Sequence, residues 1–375
     1  MAWWAAWLIG QRYPAAASVG QPALFAGWLH AFTMQYQVLP TFMAGFLLTV
    51  FPRWMALPEL PRWRYAPVGL GLLGGQVATL AGALGAGSGL LVGWLMTLAG
   101  WIALLATLTP MLWRERGTTW HARAIVVALF AGLVGLLLHG AHLLGGSVVL
   151  ELASIKIGSF GLLLPVYLVV AHRMFPFFAG NVVADYQPWR PLWLLPVIGG
   201  LLALHLWLEL VHGYAWSWAP DLALFALTSL MCWRWWPQGP SPGILRALFF
   251  GLAWLPLTFA LYSAQSLGYL ATGVYALGRA PAHALFIGFF GSVLVAMVTR
   301  VAQGHSGRPM RMPLIGWLAF AGIQGVAVLR IAAELSADPL PWHAASAVGW
   351  LLVLGPWAAR LGWIVLTPRV DGKPG

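Results

Sequence analysis

Eleven apolar runs, each long enough to cross a bilayer and joined by short connections, constrain this chain more than any other feature. They lie at about 23 to 52, 66 to 85, 89 to 112, 122 to 144, 148 to 172, 191 to 211, 218 to 236, 247 to 271, 281 to 302, 313 to 335 and 342 to 366. A spanning helix needs roughly 20 apolar residues, because in hydrocarbon every backbone N–H and C=O must be satisfied within the protein. Strict apolar–polar alternation over strand-length segments is absent, which argues against a membrane barrel. At 61% hydrophobic and 8% charged residues, the chain also has too little polar surface to cover a soluble globule of 375 residues. The expected fold is all-α: a polytopic transmembrane helical bundle of about 11–12 spans in one integral membrane domain, 1–375. Residues 1–20 are read as a short N-terminal segment or truncated first helix, spans occupy about 23–366, and 367–375 form a cytoplasmic tail.

The net charge of +11 sits in the connections. Every second connection carries arginine: Arg53, Arg62 and Arg64; Arg114, Arg116 and Arg123; Arg173 and Arg190; Arg234 and Arg246; Arg300, Arg308 and Arg311; then Arg369 and Lys373 at the tail. The intervening connections hold almost none, Arg279 being the exception. This alternation predicts a cytoplasmic basic side and a cytoplasmic C-terminus, and it accounts for the positive charge without nucleic acid. Tryptophans such as Trp54, Trp113, Trp189, Trp216, Trp218 and Trp342 crowd the run ends, as interfacial anchors do. Pro40, Pro165 and Pro256 are expected to kink their spans, and the glycines from Gly71 to Gly75 and Gly82 to Gly93 to allow close helix packing. The lone Cys232 excludes an intrachain disulfide and is assigned to packing.

On this topology His121, His172 and His305 lie on the cytoplasmic side, whereas His30, His139, His142, His205, His212, His283 and His343 fall in the outer halves of their spans. Ionisable groups inside spans usually face the bundle interior and serve a site. His139 and His142, three apart, share a helix face. His205, Glu209 and His212 form a four-then-three stripe whose imidazoles are about 10 Å apart along the axis, so at most one serves any single ion. For His212 and His343, near span ends, the plain reading is interfacial hydrogen bonding. Arg330 and Glu334, four apart, are expected to pair. With no thiolate cluster and few carboxylates, the donor set suits haem iron or copper better than calcium or magnesium. The same histidines, with Glu151, Lys156 and Glu209, also fit a proton relay.

The segment from His283 to Pro309 joins two ends of one span. Seventeen helical steps separate His283 from Arg300, about 25 Å at the α-helical rise, and the polar turn Gly304-His305-Ser306-Gly307-Arg308-Pro309 follows. The turn is read as architectural. No phosphate-binding glycine loop, His-Glu-x-x-His signature or Ser-His-Asp arrangement on one face is present.

That segment carries a family resemblance. His283-Ala284-Leu285, Gly288, Gly291, Met297, Thr299-Arg300 and Gly304 to Pro309 resemble the most characteristic motif of the NnrS family of bacterial membrane proteins. Ala44-Gly45-Phe46-Leu47-Leu48-Thr49 with Pro52 and Trp54, the turn Arg173 with Pro176-Phe177-Phe178, and Gly251-Leu252-Ala253-Trp254-Leu255-Pro256-Leu257 are similar to further family blocks in the same order. The resemblance implies about twelve spans, a fold distantly akin to the haem-copper oxidase core, bound haem and copper, and a link to nitric oxide metabolism or resistance. It makes His30, His283 and His305 family positions, with Arg173, Arg300 and Arg308 beside them and His139 a looser match. Two departures stand out. Where the family reads Trp-His-Ala-His-Glu-Met, this chain has Leu29-His30-Ala31-Phe32-Thr33-Met34, and a further family histidine is replaced by Phe249.

Residues and resemblance together point to a haem-binding, and under the resemblance copper-binding, protein of a bacterial inner membrane, with a small diatomic such as nitric oxide as ligand. The expected cofactor-binding residues are His30, His139, His142 and His283, and the expected metal donors His30, His205 and His283. Arg173, Arg300, His305, Arg308 and Glu209 are supporting residues. Imidazole from His283 or His30 would ligate iron and leave an axial site open. No catalytic residue is assigned. A proton-coupled carrier and a cofactor-free sensor or assembly protein stay open as other classes.

Overall fold

A computed structural model describes residues 1–15, 19–115 and 119–372. Arg116 and Lys373, counted above among the basic connections, lie outside the described residues, as do residues 16–18 of the N-terminal segment. Among the described residues there are twelve helices and no strand. They are α1 (Ala2–Arg12), α2 (Ala26–Trp54), α3 (Arg62–Ala83), α4 (Gly89–Arg114), α5 (Trp120–Leu143), α6 (Val148–Gly180), α7 (Leu194–Leu210), α8 (Trp218–Trp235), α9 (Gly243–Thr272), α10 (Ala280–His305), α11 (Leu314–Ala333) and α12 (Leu340–Leu366). Each of the eleven apolar runs is therefore a helix. Nine of them, α2–α6 and α9–α12, are long and apolar enough to cross a membrane. Helix α7 is apolar but shorter, and α8 carries Asp221 and Arg234 in its end turns. The protein is a multi-pass helical bundle.

The chain divides into two compact units. The N-terminal unit comprises Ser18–Ala171 and Leu195–Val211, and the C-terminal unit comprises Met1–Ala17, His172–Leu194 and His212–Gly375. In the C-terminal unit the eleven-residue α1, about 16 Å long and too short to span, packs against α12, and Arg12 reaches Asp338 at 3.8 Å.

Within the N-terminal unit the glycines on α3 and α4 do what their spacing predicts. A Cβ at Gly71 would come within 2.5 Å of the Gly100 backbone, one at Gly75 within 2.3 Å of Thr97 Oγ1, and one at Gly82 within 2.4 Å of the Leu90 nitrogen. At Gly71–Gly100 and Gly82–Gly89 the two backbones meet directly, which gains dispersion contact where the bilayer offers no hydrophobic drive for helix pairing.

The three prolines expected to kink their spans each follow an irregular turn. Pro40 follows a π-helical turn at Thr33–Val38, and Pro165 follows another at Ile157–Leu163. Pro256 lies just beyond a break at Ala253 that divides α9. Proline supplies no N–H to the carbonyl four residues back, so that carbonyl needs another donor. For Pro40 the Trp101 indole N–H donates to the Tyr36 carbonyl at 3.1 Å. For Pro256 the Cys232 thiol donates to the Leu252 carbonyl at 3.7 Å, which gives the lone cysteine a definite packing role. A third π turn, Ala284–Gly291, lies in α10 immediately after His283. Such turns are frequent at functional sites.

One expectation fails. The segment Arg173 to Phe178, read as a turn, forms the last turns of α6, because Phe175, Phe178 and Ala179 continue the buried helical face at 1%, 7% and 0% exposure. Proline at 176 deletes one hydrogen bond there without ending the helix.

Candidate functional site

The strongest polar constellation of the N-terminal unit forms where α2, α5 and α6 meet. His139 is buried near the end of α5, and its Nδ1 lies 2.7 Å from Glu151 Oε2 in the first turn of α6. Their side chains are only 2% and 1% exposed. The Glu151 carboxylate oxygen accepts this bond, so its proton sits on the His139 Nδ1. The Phe32 ring stacks on the imidazole, with centroids 3.7 Å apart and planes 7° from parallel. Phe32 also stacks on Tyr36, whose hydroxyl donates to the Ser154 carbonyl at 2.6 Å. One turn below, Gln35 donates to Ser159 at 2.9 Å, which ties the π turns of α2 and α6 together.

His142 follows one turn after His139. It donates from Nδ1 to the Gly146 carbonyl at 2.9 Å and meets the Trp28 indole edge-on at 5.7 Å. Trp28 and Phe32 are four apart and so share the α2 face that meets these histidines. His30, midway between them in sequence, lies on another side of the helix and is half-buried. The structure thus brings His139 and His142 to one helix face, while His30 stands on a different face of α2 from Trp28 and Phe32.

His205 is fully buried in α7 with its ring 4.0 Å from that of Phe160. Glu209, one turn on, pairs with Lys156 at 3.3 Å and also receives the Lys156 ammonium on its backbone carbonyl. The expected stripe ends there. His212 lies beyond the end of α7 in a left-handed conformation at φ +60°, its ring stacked 5.7 Å from Tyr214, and it belongs to the C-terminal unit. Gly213 and the following turn stop the helix before a third stripe position can form.

In the C-terminal unit His283 ends the first turn of α10 and is half-buried. Its Nδ1 lies 2.9 Å from the Arg279 carbonyl, an obligate acceptor, so this ring too carries its proton on Nδ1. Behind it, Glu334 pairs with Arg330 at 2.5 Å, as their spacing predicts, and approaches His343 Nε2 at 3.3 Å. At the other end of α10, Arg300 lies over the Phe178 ring at 4.1 Å. The turn after it is held by the tail: Arg369 donates to the His305 carbonyl at 2.9 Å, and the Val370 N–H donates to the Ser306 carbonyl at 3.1 Å. Gln303 clamps Arg311 through both its N–H and its C=O. Arg308 and Arg173 are half-buried. Phe249, the second departure from the family pattern, sits edge-on to Phe175 and Trp236 in an aromatic cluster.

Sequence reasoning missed the partner of His139, because Glu151 lies twelve residues away across a turn and no spacing rule links them. It missed Phe32 as a ring partner and the three π turns. It also missed Gln37, which donates to Thr79 at 2.8 Å and Thr97 at 2.9 Å inside the N-terminal unit. Three adjacent polar residues at 35, 36 and 37 in an apolar run were the available signal. Among the described residues, no three His, Cys, Asp or Glu side chains are grouped so as to hold a metal ion.

No curated protein matches the chain. The family described as NnrS protein matches residues 1–369 of the 375, a range that includes all the blocks that carried the resemblance and all the helices that carry these sites. The chain belongs to the NnrS protein family.

Proposed function

We propose that this protein binds haem in a bacterial cytoplasmic membrane and acts in nitric oxide metabolism or the nitrosative stress response. One observation carries the haem reading: His139, His142 and His283 each have Nδ1 engaged with a carboxylate or carbonyl oxygen, at 2.7, 2.9 and 2.9 Å. An imidazole that ligates a metal through Nε2 almost always donates its other N–H in this way, which fixes the ring and raises its basicity. Haem iron needs one or two such nitrogens, so this donor set fits it. A protein-held copper ion needs more donors in one place. The described residues offer no group of three, and phenylalanines stand at two positions where the family pattern has histidine, so copper does not fit and no step is assigned to it.

Haem, when bound, would supply an iron atom able to take a small diatomic such as nitric oxide. The chain's own part is to hold the ligand rings and keep water away. Phe32 covers one face of His139 and Glu151 fixes its plane, while the Arg279 carbonyl orients His283. The basic connections support a cytoplasmic C-terminus, with His283 toward the outer leaflet and Arg300 to Pro309 toward the cytoplasm. The nitric oxide assignment rests on family membership.

The test is purification in detergent after haem-supplemented expression. A Soret band with stoichiometric iron that falls on His283→Ala or His139→Ala supports the reading; a colourless protein with no pyridine haemochrome sinks it. A second reading, a proton-coupled carrier, is favoured by the Lys156–Glu209 and His139–Glu151 pairs inside apolar helices. Proton-dependent uptake into liposomes, abolished by Glu209→Gln, separates it from the first.

A further inference from the structure

We propose that Glu334 is the positioning residue for the His283 imidazole, acting through the backbone of Gly278 and Arg279; this rests on the reading of His283 as an iron ligand. The two carboxylate oxygens of Glu334 do separate work. Oε1 takes Arg330 at 2.5 Å, which fixes the carboxylate to α11, and lies 3.3 Å from His343 Nε2 on α12. Oε2 accepts the backbone N–H of Arg279 at 3.2 Å, in the connection that leads into α10.

That connection is shaped around the carboxylate. Gly278 has φ +48°, and a Cβ there would come within 2.4 Å of Glu334 Oε2. Only glycine offers both the left-handed backbone and the room. The Gly278 carbonyl is held in turn by Gln265, which donates at 3.1 Å. Arg279 is thus fixed on both sides: Glu334 holds its N–H, and its C=O accepts the His283 Nδ1–H at 2.9 Å and the His283 backbone N–H at 3.1 Å. The carbonyl keeps the ring proton on Nδ1 and so leaves the lone pair of a neutral ring on Nε2. A glutamine at 334 has one acceptor oxygen and cannot serve Arg330 and the Arg279 N–H together. Releasing the connection then frees the ring to rotate and to exchange tautomers.

The experiment uses the full chain in detergent with 15N-labelled histidine, His283→Ala to assign the signal, and haemin titration in parallel. In the wild type we expect His283 protonated at Nδ1. Glu334→Gln should give mixed tautomers and weaken haemin binding by about 10-fold or more, the low end for losing an outer partner of a metal-binding histidine. Gly278→Ala, which alters no titratable group, should give the same tautomer shift. It decides the matter if Glu334→Gln does not yield monodisperse protein. Unchanged tautomer and unchanged haemin affinity in a folded variant overturn the proposal. If His283→Ala binds haemin as the wild type does, the reading of His283 as an iron ligand falls, and the tautomer signal alone still tells whether Glu334 sets the ring.

Discussion

Glu151 and His139 meet across 2.7 Å with both side chains closed off from solvent, one from the first turn of α6 and the other from the last turns of α5. Neither group is tolerable there alone. Removing one partner of a buried hydrogen-bonded pair leaves the other unsatisfied at a cost of ~1–3 kcal/mol, more where it is charged, whereas a replacement that keeps the acceptor costs less. Glu151→Ala should therefore lower the thermal unfolding midpoint sharply in a fluorescence-detected size-exclusion assay, and Glu151→Gln only slightly. If the Ala variant matches the wild type, the pair is not a structural requirement.

The Phe32 ring covers the face of His139. A stacked aromatic pair adds ~0.5–1.5 kcal/mol beyond its burial, and a buried Phe→Ala change costs ~3–5 kcal/mol through the cavity it leaves. Phe32→Leu should lose about the first amount and Phe32→Ala about the second. In the Ala variant the opened face should also let small imidazole-directed reagents reach His139, read as diethyl pyrocarbonate modification mapped by mass spectrometry.

The spans were legible in the sequence because a membrane makes helix formation nearly a matter of counting: each of the eleven apolar runs is helical, and Arg330 with Glu334 obeys the four-residue rule. Gly71, Gly75 and Gly82 were legible for the same reason, since small residues at helical spacing mark a close contact. The π turns were not. They follow from bonds between helices, such as Gln35 to Ser159 and Trp101 to the Tyr36 carbonyl, which no local pattern encodes. The histidine sites split along the same line. The face shared by His139 and His142 was read correctly, but His212 leaves its helix at a left-handed residue, and Glu151 reaches His139 only once two helices have packed.

Outside the spans, Tyr186 donates its hydroxyl to the Trp235 carbonyl at 3.0 Å, and burial pushes its pKa up to about 12 from an ordinary 10. Because the folded state keeps this proton longer than the unfolded chain, its contribution is fully present below pH ~10 and is lost as pH rises towards about 12. Stability measured by chemical denaturation should therefore decline between pH 10 and 12. Tyr186→Phe should flatten that part of the profile; an unchanged slope would show that other groups cause it.

Gly71 and Gly69 lie two residues apart on α3 and predict opposite outcomes for the same change. At Gly71 an added Cβ would sit 2.5 Å from the Gly100 Cα and nitrogen and 2.8 Å from the Met96 carbonyl, all backbone atoms that cannot swing aside. At Gly69 nothing lies within 4 Å. Alanine at Gly69 should thus be neutral or stabilising by up to ~1 kcal/mol, through the helix preference of alanine over glycine. Alanine at Gly71 must push α3 from α4 along the contact that also holds Gly75 against Thr97, and so strains the Thr97 hydroxyl that receives Gln37. The two variants, compared for yield and thermal unfolding in one detergent, separate packing from propensity. Equal behaviour of Gly69→Ala and Gly71→Ala would mean that the helices do not approach as closely as their glycines allow.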